Sequence, residues 1–262
     1  NLFVNIDEFA NMGPSQQGKL KQMLSKAAIE GWNNCLVNNT PYTLASIGFN
    51  SLCNHNLTRS YYAATLNTDG TIEDYCYKCG YHEDTDIPCV SQVKLSKKSF
   101  TYNGKVQKPS VTVKDSKGKA LKNGTDYTVS YPKGMKNVGK YTVKVTLKGN
   151  YSGTKSLTYN INPKGTSVSK VTAAKKGFKV TWKKQTTQTT GYQVQYSTSS
   201  KFKSAKTVTI SKNKTTSKSV GKLSAKKKYY VRVRTYKTVK IAGKSVNLYS
   251  GWSKAKSVTT KK

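Results

Sequence analysis

Phe178-Lys179-Val180-Thr181-Trp182 and, after eight intervening residues, Gly191-Tyr192-Gln193-Val194-Gln195-Tyr196 decide the fold of the C-terminal part of this chain. Both stretches alternate large apolar with polar side chains. Successive side chains of a strand point to opposite faces, so a period of two marks a strand with one face buried and one in water. Working outward, Lys206-Thr207-Val208-Thr209-Ile210, Tyr230-Val231-Arg232-Val233-Arg234 and Ser257-Val258-Thr259 carry the same pattern. Short strands at this spacing, parted by turn residues, predict a β-sandwich running from about Gly165 to Thr260.

The pattern extends upstream. Ser110-Val111-Thr112-Val113-Lys114, Tyr127-Thr128-Val129-Ser130-Tyr131, Tyr141-Thr142-Val143-Lys144-Val145-Thr146-Leu147 and Leu157-Thr158-Tyr159-Asn160-Ile161 make a second set, ending at Pro163. Asp115 to Gly118 forms a turn in it. The two sets are not repeats of each other. Upstream of Val93 the style changes. Residues 53–90 hold four of the five cysteines and both histidines, while residues 1–52 predict a helix from Gln16 to about Glu30, N-capped by Ser15. Four segments are therefore expected, at 1–52, 53–91, 92–163 and 164–262. The chain begins mid-element at Asn1-Leu2-Phe3-Val4, and the expectation is that it is the C-terminal part of a longer protein.

Residues 178–182 and 191–196 resemble the second and third strands of a fibronectin type III domain. Leu223, followed by Tyr229 and Val231-Arg232-Val233, resembles that fold's tyrosine corner, where a Tyr hydroxyl ties a crossing loop to the sandwich. Gly251-Trp252-Ser253 then falls where an aromatic ring would lie near Arg232 or Arg234, as a cation–π stack. In residues 92–163, Ser99-Phe100-Thr101-Tyr102-Asn103-Gly104, Asp126-Tyr127-Thr128-Val129, Asn137-Val138-Gly139-Lys140-Tyr141 and Gly149-Asn150-Tyr151-Ser152-Gly153 are similar to bacterial immunoglobulin-like modules of Gram-positive surface proteins. The lysine-rich tail as a whole resembles the end of a clostridial-type surface or secreted protein. The fold class expected is mainly β: an Ig-like sandwich, then a fibronectin type III-like one, preceded by a small α+β segment resembling a zinc ribbon. The resemblance implies adhesion, wall association or the spacing of an upstream domain.

Charge divides the chain. Residues 1–91 carry five basic groups against nine acidic ones, whereas residues 92–262 carry 41 basic groups against Asp115 and Asp126 alone. Nearly all the basic groups are lysine; the arginines are Arg59, Arg232 and Arg234. Arginine's planar fork suits specific readout of guanine and phosphate, whereas a lysine field gives diffuse, salt-sensitive attraction to any polyanion. Wall teichoic acids, nucleic acid and acidic polysaccharides all fit such a field. A solubilising lysine coat without a ligand is the bland alternative. No apolar run approaches the roughly 20 residues of a membrane-spanning helix.

The strongest local signal for chemistry is Cys53-Asn54-His55 with Cys76-Tyr77-Lys78-Cys79-Gly80. Two ligand pairs on tight turns can offer four N/S donors to one structural zinc, with Gly80 letting backbone amides approach the thiolates. The single spacer residue in the first pair is tighter than usual, and His82 is a substitute ligand. Disulfides involving Cys35 and Cys89, or free thiols, are the alternatives. Between the pairs, Tyr61 to Thr71 reads as a hairpin with an Asp69-Gly70 turn. At the N-terminus, Leu2-Phe3-Val4-Asn5-Ile6-Asp7-Glu8-Phe9-Ala10-Asn11 resembles the Walker B strand of conjugation-type coupling ATPases. The matching phosphate loop is missing: Gly134 to Tyr141 ends in Tyr rather than Ser or Thr and leads into a strand, so it reads as a turn.

After Asp126 the sequence holds no Asp, Glu, His or Cys. General acid–base and Cys or His nucleophilic catalysis need those groups. The expected function is a non-catalytic binding or spacing tail, extracellular or at the bacterial wall, with an anionic wall polymer or a host ligand as partner. An accessory module of a wall hydrolase or peptidase, catalytic upstream, is the second reading. Nucleic acid is disfavoured, because the Cys/His segment carries Glu73, Asp74, Glu83, Asp84 and Asp86, which repel phosphate.

Overall fold

The strands follow from the alternation. In the computed structural model, which describes residues 56–77 and 80–262, strand β8 (Gly139–Leu147) turns Val143, Val145 and Leu147 into the interior and leaves Lys140, Thr142 and Lys144 exposed. The segments expected to form a helix at 16–30 and to resemble a Walker B strand at 2–11 lie outside the described residues. All described regular structure is β, as expected for the two sandwiches.

In residues 92–163, β5 (Ser99–Thr101), β9 (Thr154–Asn162), β8 and β7 (Tyr127–Ser130) form one sheet in that order. The β5–β9 pairing is parallel and the others are antiparallel. The second sheet pairs β4 (Val90–Leu95) with β6 (Val111–Asp115). Val143, Tyr159 and Ile161 centre the core, with Phe100, Val111, Val129 and Tyr141 packed on it. The buried Tyr159 hydroxyl donates to the Gln107 carbonyl at 2.9 Å, and Gln107 Nε2 donates to the Thr101 carbonyl at 2.9 Å. Buried polar groups need such partners. The loop at Gly134 is a turn leading into β8, as the sequence implied, with Gly134 at a φ of 77°.

The second sandwich packs a sheet of β10 (Val168–Ala174), β11 (Gly177–Trp182) and β14 (Ser217–Val220) against one of β13 (Lys206–Ile210), β12 (Gly191–Ser197), β15 (Lys228–Ile241) and β16 (Lys244–Tyr249). Phe178, Val180, Trp182, Tyr192, Val194, Tyr196, Val231 and Val233 fill the space between. These are the apolar positions of the two stretches that decided the fold, plus those of β15. Strand β15 serves two partners along one edge: its start pairs with β17 (Lys256–Thr259) and its end with β16.

Upstream, β1 (Thr58–Tyr62), β2 (Gly70–Tyr75) and β3 (His82–Ile87) form an antiparallel meander. The expected hairpin is present, but Asp69-Gly70 is not its turn. The bend lies at residues 66–68, and Gly70 opens β2. A Cβ there would stand 2.2 Å from the Tyr62 carbonyl oxygen, so the glycine serves a close backbone approach. The described residues fall into two compact units: one holds 56–77 and 80–91 with 115–117 and 149–152, and the other holds the remainder, with the body of both sandwiches.

Candidate functional site

The feature that sets the second sandwich apart is built on the outer face of β15. Between its pairings with β17 and β16, serine side chains complete its ladder. Ser250 Oγ accepts from the Thr235 N–H and Ser253 Oγ from the Val233 N–H, each at 3.0 Å. The Ser253 N–H returns a bond to the Val233 carbonyl at 2.8 Å. This fixes Gly251-Trp252 across the strand. Trp252 then lies between two guanidinium groups, 4.8 Å from Arg232 and 4.3 Å from Arg234. Phe202 covers Arg232 at 3.8 Å and Tyr249 covers Arg234 at 3.9 Å. The result is an alternating stack: Phe202, Arg232, Trp252, Arg234, Tyr249.

The stack of Trp252 on Arg232 or Arg234 that the sequence pointed to is therefore present, and it engages both arginines. Two aromatic members, Phe202 and Tyr249, escaped sequence reasoning. Phe202 is a lone aromatic in a Ser/Lys loop and sits at a φ of 58°. Each guanidinium is also tied sideways: Arg232 donates from Nε to Gln195 Oε1 at 2.8 Å, and Arg234 from Nε to Gln193 Oε1 at 2.9 Å. The glutamines pass the link on to Thr207 and Thr209 on β13. Burial pulls both guanidinium groups below their ordinary pKa; for Arg234 the neighbouring Arg232 acts the same way and Tyr249 opposes it. Each cation–π contact is worth about 0.5–1 kcal/mol where exposed and about 2 where desolvated. Both arginines are thus committed to holding the domain's face together.

That leaves lysine as the outward charge. Lys140 and Lys144 on β8 and Lys170 and Lys179 on the β10–β11 sheet are exposed, interspersed with Ser and Thr. One of the region's two carboxylates, Asp126, takes the Lys122 backbone N–H at 2.7 Å rather than an ammonium group. The other, Asp115, is buried.

Tyr229 stands at the position where the resemblance implied a tyrosine corner. Tyr229 is buried against Phe178 and Tyr196, and the crossing loop is tied by the Leu223 N–H donating to the Lys176 carbonyl at 2.9 Å. A hydroxyl tie is found at Tyr192, which accepts the Gln185 N–H at 2.8 Å and lies within 2.8 Å of the Asn213 carbonyl. Desolvation keeps the Tyr192 phenol above its ordinary pKa.

Of the four candidate zinc ligands, Cys53, His55 and Cys79 lie outside the described residues, as does Cys35. Cys76 is buried just after β2, where its N–H donates to the Tyr81 carbonyl and its carbonyl accepts from the Gly80 N–H, both at 2.8 Å. Gly80 takes a φ of 73°, closing a tight turn. His82 opens β3 on the surface and is drawn to Asp84, with Nε2 to Oδ1 at 2.8 Å; Glu73 completes a group whose ligand atoms lie within 4.8 Å of one another. Cys89 is half-buried, and its N–H donates to Asp69 Oδ1 at 2.6 Å, which holds that carboxylate below its usual pKa. Arg59 and Asp74, paired across β1 and β2, form a two-pronged ion pair at 2.7 and 2.6 Å.

Residues 161–249 match the model of the fibronectin type III domain. The second sandwich has the fibronectin type III fold. The match stops at Tyr249, so Trp252 and β17 lie beyond it. Among solved structures, the chain is similar to the FN1–FN3 domains of chicken CNTN1, at 14% identity over 74% of this chain and 78% of that one, with a TM-score of 0.32. It is also similar to a β-1,2-glucanase from Parabacteroides distasonis, at 13% identity over 47% of this chain and 18% of the glucanase, with a TM-score of 0.30. No curated protein matches. Among the described residues no helix is long and apolar enough to cross a membrane.

Proposed function

We propose that residues 92–262 are a non-catalytic binding and spacing tail of a secreted or wall-associated bacterial surface protein, held by its lysines to anionic wall polymers. The observation that carries this reading is the commitment of the charges. Both tail arginines are locked into aromatic and glutamine contacts, while lysines stand outward against only two carboxylates in the whole region. Such a surface attracts polyanions generally and reads no sequence. The lack of Asp, Glu, His and Cys after Asp126 supports a tail without acid–base or nucleophilic chemistry. A fibronectin type III unit is a modular domain, which suits this role.

A competition titration tests the proposal. The chain, held on a poly(glycerol phosphate) matrix as a teichoic-acid mimic, is challenged with free polymer or with duplex DNA at equal phosphate. Displacement by the polyol phosphate at least as efficient as by DNA supports the reading. Displacement by DNA alone defeats it.

For the Cys/His segment, we propose one structural zinc on Cys53, His55, Cys76 and Cys79. The buried Cys76, followed by a left-handed Gly80 that brings the chain back on itself, supports it. Anaerobically purified protein should then carry one zinc per chain. A preparation holding no metal, with cysteines recovered as disulfides, ends the proposal.

A further inference from the structure

The connection between the two sandwiches, residues 163–167, is short and tied down. Pro163 is buried. Thr235 Oγ1, inside the second sandwich, donates to the Lys164 carbonyl at 2.8 Å. The Thr166 hydroxyl donates to the Lys183 carbonyl, and the Lys183 N–H donates to the Ser167 carbonyl at 3.0 Å. Beside this connection, β16 lies against β9 of the first sandwich.

A second tie sits away from the connection. Gln188, in the loop between β11 and β12, has a φ of 52°, a left-handed conformation that a residue with a Cβ adopts at a cost. From there its side-chain amide reaches the first sandwich. Oε1 accepts from the Val138 N–H at 3.3 Å, and Nε2 faces Asn137 Oδ1 at 3.4 Å. Each contact is long for a hydrogen bond. Both fall on one side-chain amide, however, and the backbone N–H that Oε1 engages belongs to Val138, which is 6% exposed.

Both loops are set by their own domains. On the first sandwich, the Tyr141 hydroxyl lies 2.8 Å from the Gly134 and Asn137 carbonyls. On the second, the Tyr192 hydroxyl takes the Gln185 N–H, and Asn213 Nδ2 donates to the Thr189 carbonyl at 2.8 Å. A disfavoured backbone conformation persists where its surroundings over-determine it. Here the result is an amide placed against the neighbouring domain.

We infer that Gln188 is a clasp that fixes the angle between the two sandwiches, making residues 92–262 one stiff body. Domains joined in one chain move relative to each other by default, unless a substantial interface holds them. The inference rests on the reading of the tail as a spacer and deepens it: a stiff pair gives a fixed reach and presents the lysines of both domains in constant register.

Residual dipolar couplings of backbone amides, measured on the whole 262-residue chain in an uncharged alignment medium, test it. In the native protein one alignment tensor should fit both sandwiches. Gln188→Gly tolerates the left-handed backbone and removes the amide; Gln188→Asn tolerates it too but is too short to reach. Each should require two tensors, while amide shifts outside the two loops stay in place and report intact domains. Two tensors in the native chain overturn the inference, and so does a single tensor surviving in both variants. Neither substitution changes charge, so retention on anionic polymer should match the native chain. Loss of that retention in the native protein would refute the binding reading and leave the coupling result standing.

Discussion

Replacing Trp252 with Ala removes the middle of the aromatic–guanidinium stack. Two of its four cation–π contacts disappear, at 4.3 and 4.8 Å, for about 1–2 kcal/mol at surface values. The ring is half-buried. Losing about 100 Å² of covered apolar surface at about 25 cal/mol per Å² adds about 2.5 kcal/mol. Rehydration of the exposed guanidiniums offsets part of this, which brings the expected loss to about 3 kcal/mol. Urea unfolding followed by the fluorescence of Trp182, buried in the same sandwich, reads the loss as a lowered midpoint at unchanged slope. A cycle with Arg234→Met separates stacking from burial, with an expected Trp252–Arg234 coupling of about 0.5–1 kcal/mol. Additivity of the two changes within about 0.3 kcal/mol would refute the claim that the ladder acts as a stack.

Other expectations follow from buried hydroxyls. Tyr192→Phe leaves the Gln185 N–H and the Asn213 carbonyl without that partner, and should cost about 1–3 kcal/mol in the same urea assay; an unchanged midpoint would show that the two loops do not depend on the tie. Burial, helped by Tyr141 and Tyr131, pushes the Tyr159 phenol up to about 12 from an ordinary value of 10.0. Its folded pKa is raised, so its contribution is complete below pH 10 and is lost as pH rises from 10 towards 12. Two units correspond to about 2.7 kcal/mol. Tyr159→Phe should flatten the alkaline limb of the stability profile, and an unchanged limb would refute the assignment.

The parts of the fold legible in the sequence are those where burial and alternation coincide. Strands β8, β9, β11, β12 and the first half of β15 turn apolar or aromatic side chains inward at alternate positions, so their own residues declare them. Strands β14, Ser217-Lys218-Ser219-Val220, and β16, Lys244 to Tyr249, carry mostly exposed side chains. They are strands because β11 and β15 offer them hydrogen-bonding edges, a context their sequence does not encode. Asp69-Gly70 misled for a related reason. Glycine serves turns and close approaches alike, and only the Tyr62 carbonyl distinguishes the two uses here. The ladder was half legible: Gly251-Trp252-Ser253 and the alternating arginines pointed to a stack, but Phe202 arrives from a loop whose path no periodicity gives.

On the proposed reading, lysine charge holds this tail to an anionic polymer. The most direct test of that reading is retention of the intact chain on isolated teichoic-acid-bearing walls across a salt series. At about 1 M salt the Debye length shrinks to about 3 Å, and bound protein should be released progressively well before that point. Retention unchanged from low salt to 1 M would contradict the account.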